Sequence, residues 1–325
     1  MRYRKLGKTD LFVSEISLGC SGFWGNRLFS EKKASALIYE AFEKGINFFD
    51  TGHNYSGFNA EPRLGRVIKE ILRNNSRSKI IISTKAGTII PSSPVLLTEK
   101  KSTDFSPEYI EQTCLNSIKN LNCEYLDIFQ LHGINESQIT EVLVEKLINM
   151  KERGFFRYLG INTHHENVMN FICRSPVFFD MVLLDYNVLQ LDREPIISKL
   201  NNAGIGVVAG TVLAQGHLIN GKIGKIKSLA DLWYLARAIL KPTSRILYKN
   251  SFGMRKTLSM LSGMTAAQGA FVYILCNKEI SSCVFGTTSL PNLNEILETA
   301  DLELDAKNKL EILNSFESLK EKISL

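Results

Sequence analysis

Eight short, almost continuously apolar runs alternate along this chain with segments of helical period, and that alternation restricts its fold more than any other feature. The runs fall at residues 16–19, 46–50, 80–85, 126–132, 158–162, 181–186, 207–211 and 283–287. Strands without polar alternation are those buried on both faces, as in a parallel sheet wrapped by helices. The helices between them are punctuated at both ends. Ser30, Ser106 with Pro107 behind it, and Thr265 stand where N-caps belong. Gly45, Gly154 and Gly204 each close a helical stretch, where a left-handed residue ends a helix. Strand and helix repeated eight times, with connections long enough for right-handed crossovers, specify an α/β fold: a (β/α)8 barrel, with 1–325 read as one domain. An open doubly wound sheet shares the alternation but would carry G-x-G-x-x-G after its first strand. Here Gly19, Gly22 and Gly25 have the wrong spacing. Residues 3–14 read as a β-hairpin closing the bottom of the barrel. Residues 305–320 read as a C-terminal helix packed outside, with Leu310, Leu313, Phe316 and Leu319 in its apolar period.

Composition narrows the class. With 44% hydrophobic and 22% charged residues the chain is globular material, and no apolar run approaches the roughly 18 residues of a membrane span. The charged start, from Met1 to Lys8, lacks the apolar core of a secretion leader, so the expected location is the cytoplasm. Six cysteines are scattered without C-x-x-C spacing, which favours buried free thiols over a zinc site or a disulfide framework. Adjacent His164 and His165 point in different directions and have no third ligand nearby in sequence, so no metal is expected. The net charge of +6 is concentrated between Lys222 and Lys256, where nine basic residues face one acid, Asp231. Such a stretch is either a solvated face or an attractor of anionic ligands; without a recognised motif it does not specify nucleic acid.

In a barrel of this kind the chemistry sits at the C-terminal ends of the strands, and here those ends are polar. Asp50 closes the second strand with Tyr55 five residues on, Lys85 closes the third and His132 the fourth. Successive strand ends point into one cleft, so the four are a set. Reduction of a carbonyl by hydride transfer needs a proton donor at the developing alkoxide, and a tyrosine near pKa 10 is a weak one. A lysine ammonium beside the phenol favours phenolate, and lowering the pKa by three units takes about 4 kcal/mol. Asp50 would keep Lys85 charged and aimed, and His132 would donate to the substrate oxygen. A Schiff-base aldolase built on Lys85 is the competing chemistry, and the carboxylate partner argues against it by raising the lysine pKa.

These residues, in this order, resemble the aldo-keto reductase family over nearly the whole chain: residues 5–15, GINFFDT (45–51) with Tyr55, AEPRLG (60–65), Lys85, YLDIFQLH (125–132), RYLGIN (157–162), DYN (185–187) and VFGTTS (284–289). The resemblance implies a carbonyl reductase, or an alcohol dehydrogenase in reverse, with a small-molecule substrate and a bound NADPH (NADH as alternative); a closed barrel requires no partner, so a monomer is the default. By matching position it implies catalytic Asp50, Tyr55, Lys85 and His132, and cofactor contacts from Asn162, Thr211, Leu213, Gly216, Lys222, Gly286, Thr288 and Asn292. Three positions depart from the family pattern. Gly210 stands where an aromatic residue commonly stacks under the nicotinamide, and Leu183 where many relatives place a glutamine for its carboxamide. Thr288 and Ile296 replace an arginine and an asparagine of the adenosine end. These departures leave a second reading, a nucleotide-binding redox-sensing or regulatory subunit with little turnover.

Overall fold

Strand closure follows from the apolar runs. A computed structural model describes residues 1–89, 102–174, 178–219, 232 and 242–324. Eight parallel strands close into a barrel in chain order: β1 (Ile16–Gly19), β2 (Phe48–Asp50), β3 (Ile81–Ala86), β4 (Leu126–His132), β5 (Phe156–Asn162), β6 (Met181–Asp185), β7 (Gly206–Gly210) and β8 (Ile280–Phe285). Helices α1 (Glu31–Glu43), α2 (Ala60–Ile71), α3 (Pro107–Asn120), α4 (Glu141–Glu152), α5 (Glu166–Arg174) and α6 (Glu194–Asn202) alternate with the first seven strands. They are followed by α7 (Pro242–Ser259), α8 (Ala266–Cys276), α9 (Leu290–Leu297) and α10 (Ala306–Ser324). Among the described residues no helix is long and apolar enough to cross a membrane.

Among the strands, the largest shift from the sequence reading is in the last, which begins at Ile280 rather than Cys283. Two serines hide its start. Ser282 bonds Ser17 Oγ (2.8 Å) and the Ser14 carbonyl (2.7 Å), so a polar residue is at home inside the barrel wall. Thr265 caps α8 with its side chain and Gln268 answers it, a reciprocal capping box, whereas Ser30 and Ser106 make no side-chain cap bond. Gly45, Gly154 and Gly204 have φ of +90°, +78° and +75°, as expected at helix ends. The packed face of α10 differs from the expected one: Ile312 and Phe316 are buried, while Leu310 and Leu313 are 57% and 41% exposed. Positions four apart line up better than positions three apart over this length. The cysteines are all free, Cys20, Cys114 and Cys283 buried and the other three half-buried.

Among the described residues the core has two parts. Outward-facing strand residues pack against the helices in the larger cluster. Inside the barrel, Phe48, Ile81, Ile128, Met181, Leu183 and Val208 meet Leu6, Leu11 and Val13 of the hairpin, whose strands Tyr3–Lys5 and Phe12–Ser14 pair antiparallel. Leu6 is the plug: a Cβ at Gly206 would lie 2.6 Å from its Cδ1, so β7 can start there only with glycine.

Candidate active site

Side chains two apart on a strand face the same way, so the inner core fixes what stands above it. Phe48 implies that Asp50 faces inward, Ile81 that Ser83 and Lys85 do, and Ile128 that Gln130 and His132 do. On the other side of the barrel Met181 and Leu183 lead to Asp185, and Val208 to Gly210. Register brings the ends level: Asp50 pairs with Ser83, Lys85 with Gln130, His132 with Asn162, and Asp185 with Gly210.

Asp50 and Lys85 form a buried ion pair through Asp50 Oδ2, and Lys85 Nζ also donates to the Thr51 carbonyl at 2.7 Å. The other carboxylate oxygen, Oδ1, accepts from Gln130 Nε2 at 2.8 Å. Lys85 Nζ lies 5.1 Å from the centroid of the Tyr55 ring, and the His132 ring meets Tyr55 edge-on at 5.8 Å between centroids. The structure thus brings together all four residues expected to form a set.

Burial opposes charge on Lys85, but Asp50 and Tyr55 together outweigh it and hold the ammonium above the ordinary lysine value. That is the wrong direction for a Schiff-base nucleophile. Tyr55 corrects the sequence expectation. Burial raises the phenol above its ordinary value; Lys85 pulls it down as anticipated, but the Asp50 and Asp185 carboxylates add to the rise and the net shift is upward. The phenol is therefore held protonated at neutral pH.

The loop carrying Tyr55 is tied to the segment after β1. Ser56, Gly57 and Phe58 all have positive φ (54°, 64° and 64°). Ser56 Oγ donates to the Gly22 carbonyl (2.8 Å) and Asn59 Nδ2 to that of Gly25 (2.7 Å). Trp24 and Phe23 of that neighbouring segment are buried, at 2% and 4% exposure. Behind Tyr55, His53 Nδ1 lies 3.9 Å from Glu61, a fully buried carboxylate that accepts from Thr84 Oγ1 at 2.6 Å.

On the opposite side, Asn162 Nδ2 donates to the Leu183 carbonyl at 3.1 Å. A Cβ on Gly210 would stand 3.0 Å from Leu183 Cδ2 and 3.6 Å from Asp185 Oδ1. Two departures from the family pattern are therefore one feature: the leucine side chain fills the space that a residue at 210 would enter. The loop after β7 runs left-handed at Thr211, Ala214, Gln215 and Gly216, and a Cβ at Gly216 would meet nothing within 4 Å. Leu213 lies in the same loop. Gly286, Thr288 and Asn292 sit after the neighbouring β8, at the N-terminus of α9, where Ser289 Oγ caps the Asn292 amide. An open glycine at 216, a left-handed turn and a helix N-terminus on adjacent strand ends suit a phosphate-bearing ligand. Ile296, by contrast, is 2% exposed and faces the core. Lys222, the rest of the basic stretch up to Lys241, and most of the loop 87–101 lie outside the described residues.

Sequence reasoning missed Ser83, Gln130, His53, Glu61 and Asp185, which pairs with His164 Nδ1 at 3.5 Å. Inward parity from Ile81, Ile128 and Met181 would have found Ser83, Gln130 and Asp185.

A family model described as the aldo/keto reductase family matches residues 15–315. The chain belongs to the aldo/keto reductase family. It is 27% identical over 319 residues to the uncharacterized oxidoreductase YqkF of Bacillus subtilis, covering 97% of this chain and 96% of that one. It is 28% identical over 331 residues to L-galactose dehydrogenase of Arabidopsis thaliana, covering 98% and 95%. L-glyceraldehyde 3-phosphate reductase of Escherichia coli K12 is 27% identical over 308 residues, covering 91% and 86%. Aldo-keto reductase AKR11C1 of Bacillus halodurans, in its holo form, shares the fold with a TM-score of 0.75 at 23% identity, over 97% and 96% of the two chains. This aldo/keto reductase is thus an oxidoreductase of a family acting on carbonyl compounds, and its named relatives are reductases and dehydrogenases. That favours turnover over the regulatory reading.

Proposed function

We propose that the protein is an NADPH-dependent carbonyl reductase, able to use NADH less well, in which Tyr55 is the general acid. The observation that carries this reading is the buried Asp50–Lys85 pair set against Tyr55 at the C-terminal mouth of the barrel. The protonated phenol is the form that reduction requires, because its Oη gives a proton to the carbonyl oxygen as negative charge develops there. The phenolate left behind faces the Lys85 ammonium, which Asp50 keeps charged, so the proton transfer creates no isolated charge. His132 orients the substrate oxygen by a hydrogen bond. In the alcohol-oxidising direction the same phenolate accepts the proton.

The bound nicotinamide would supply or accept the hydride. Asn162, with its remaining amide capacity, would hold the carboxamide beside His132. Thr211, Leu213 and Gly216 after β7, and Gly286, Thr288 and Asn292 after β8, would hold the phosphates and adenosine. Lys222 and its basic neighbours would add attraction for phosphate. The preference for NADPH rests on that basic field.

Fluorescence titration of the protein with NADPH and, separately, NADH tests the reading before a substrate is known. Saturable binding of NADPH, tighter than NADH, is expected. Binding of neither nucleotide would contradict it.

A further inference from the structure

One buried amide in the barrel has no part in the proton transfer described above. Gln130 is fully buried on β4, directly below His132 in the inward-facing series Ile128, Gln130, His132. Its Nε2 donates to Asp50 Oδ1 (2.8 Å) and to Ser83 Oγ (2.6 Å). The orientation of the amide is dictated by chemistry: an ionised carboxylate only accepts, so the NH2 end must face Asp50. That choice leaves Gln130 Oε1 buried with no hydrogen-bond partner among the described residues. A desolvated carbonyl without a donor is unfavourable, and an apolar side chain of the same volume would avoid it. What the amide supplies in return is the pair of donors it presents to Asp50 and Ser83. Space is kept for it on the adjacent strand, since a Cβ at its register partner Gly160 on β5 would lie 2.9 Å from Gln130 Cγ.

The two oxygens of Asp50 are thereby divided, one for Gln130 and one for Lys85. With a single partner the carboxylate could rotate about its Cβ–Cγ bond; with two it cannot. We propose that Gln130 is a positioning residue for the reaction: anchored on Ser83, it locks the Asp50 carboxylate and so holds the Lys85 ammonium beside Tyr55. The inference rests on the reading of Tyr55 as proton donor.

The test is aldehyde reduction across pH with Gln130→Met and Gln130→Glu, beside Tyr55→Phe and nucleotide affinity for each. Gln130→Met conserves volume and removes both donors. Its turnover number should fall ten- to a hundredfold, roughly the 1.4–2.7 kcal/mol that misplacing a charged group loses, with nucleotide affinity unchanged within about twofold. Gln130→Glu can donate to Asp50 only while its carboxyl carries a proton. Its turnover should be low at neutral pH and climb as pH falls, a rise absent from the wild type. Should Gln130→Met not fold, Ser83→Ala removes the anchor alone, and a loss of about three- to tenfold in turnover number is expected. Turnover in Gln130→Met (or Ser83→Ala in its place) within twofold of wild type, or a wild-type pH profile in Gln130→Glu, overturns the inference. If Tyr55→Phe retains turnover, the proton-donor reading falls and this inference with it. If Tyr55→Phe is inactive while Gln130→Met is unaffected, the inference alone falls.

Discussion

The two sides of the barrel mouth are built on opposite principles. On the side of β2, β3 and β4, the inward side chains are polar and tie one another down: Asp50 to Lys85 and Gln130, and Gln130 to Ser83. On the side of β6 and β7, Asp185 at the rim is the one inward carboxylate, and beneath and beside it Leu183, Val208 and Gly210 fit by shape rather than by side-chain hydrogen bonds. On the reading proposed above, one side would move protons through the identity of its side chains. The other shapes a surface through what its side chains leave empty. Precision is therefore expected to be electrostatic on the first side and steric on the second, and a substitution on one should leave the other working.

Lys85→Met attacks the proton-handling side and carries the largest expected effect. It leaves a buried carboxylate uncompensated, a loss of about 3–5 kcal/mol of stability, and should reduce turnover at least about a hundredfold. Thermal melts and steady-state rates measure both. If nucleotide affinity collapses in a variant that still folds, the two sides are not separable. The shaped side is probed by a double-mutant cycle. Gly210→Tyr alone should destabilise by about 1–3 kcal/mol, because any side chain at 210 meets Leu183 Cδ2. Combined with Leu183→Ala, most of that loss should return, giving a coupling of about 0.5–3 kcal/mol in denaturant unfolding. Additive effects would show that the two positions are independent.

The smallest effect concerns His53, behind Tyr55. Burial lowers its pKa below the ordinary histidine value, with Glu61 opposing. The unfolded chain then binds the proton more readily, so the stabilisation is complete above about pH 6.5 and is lost as pH falls through the lowered native value. His53→Gln should flatten the fall in melting temperature on the acid side. Identical slopes in both proteins would remove His53 from the account.

The same contrast explains what the sequence discloses. Strand order, the hairpin plug and the set of Asp50, Tyr55, Lys85 and His132 were legible because each is written in apolar runs or in the type of residue at a strand end. The start of β8 was not, because Ser282 is satisfied by Ser17 in a way no local pattern records. The direction of the Tyr55 shift was hidden for a related reason: Lys85 is visible in the sequence, but burial and the second carboxylate, Asp185, belong to the folded mouth. The mutual fit of Leu183 and Gly210 looked like two losses on paper. Only adjacency on β6 and β7 makes them a single replacement.

The central claim is that Tyr55 gives the proton while the rest of the mouth binds the nucleotide. Tyr55→Phe, followed by NADPH fluorescence titration and by reduction of an aldehyde that the wild type turns over, tests it most directly. The account predicts an unchanged NADPH dissociation constant with turnover reduced about a hundred- to ten-thousandfold. Wild-type turnover in Tyr55→Phe would contradict it.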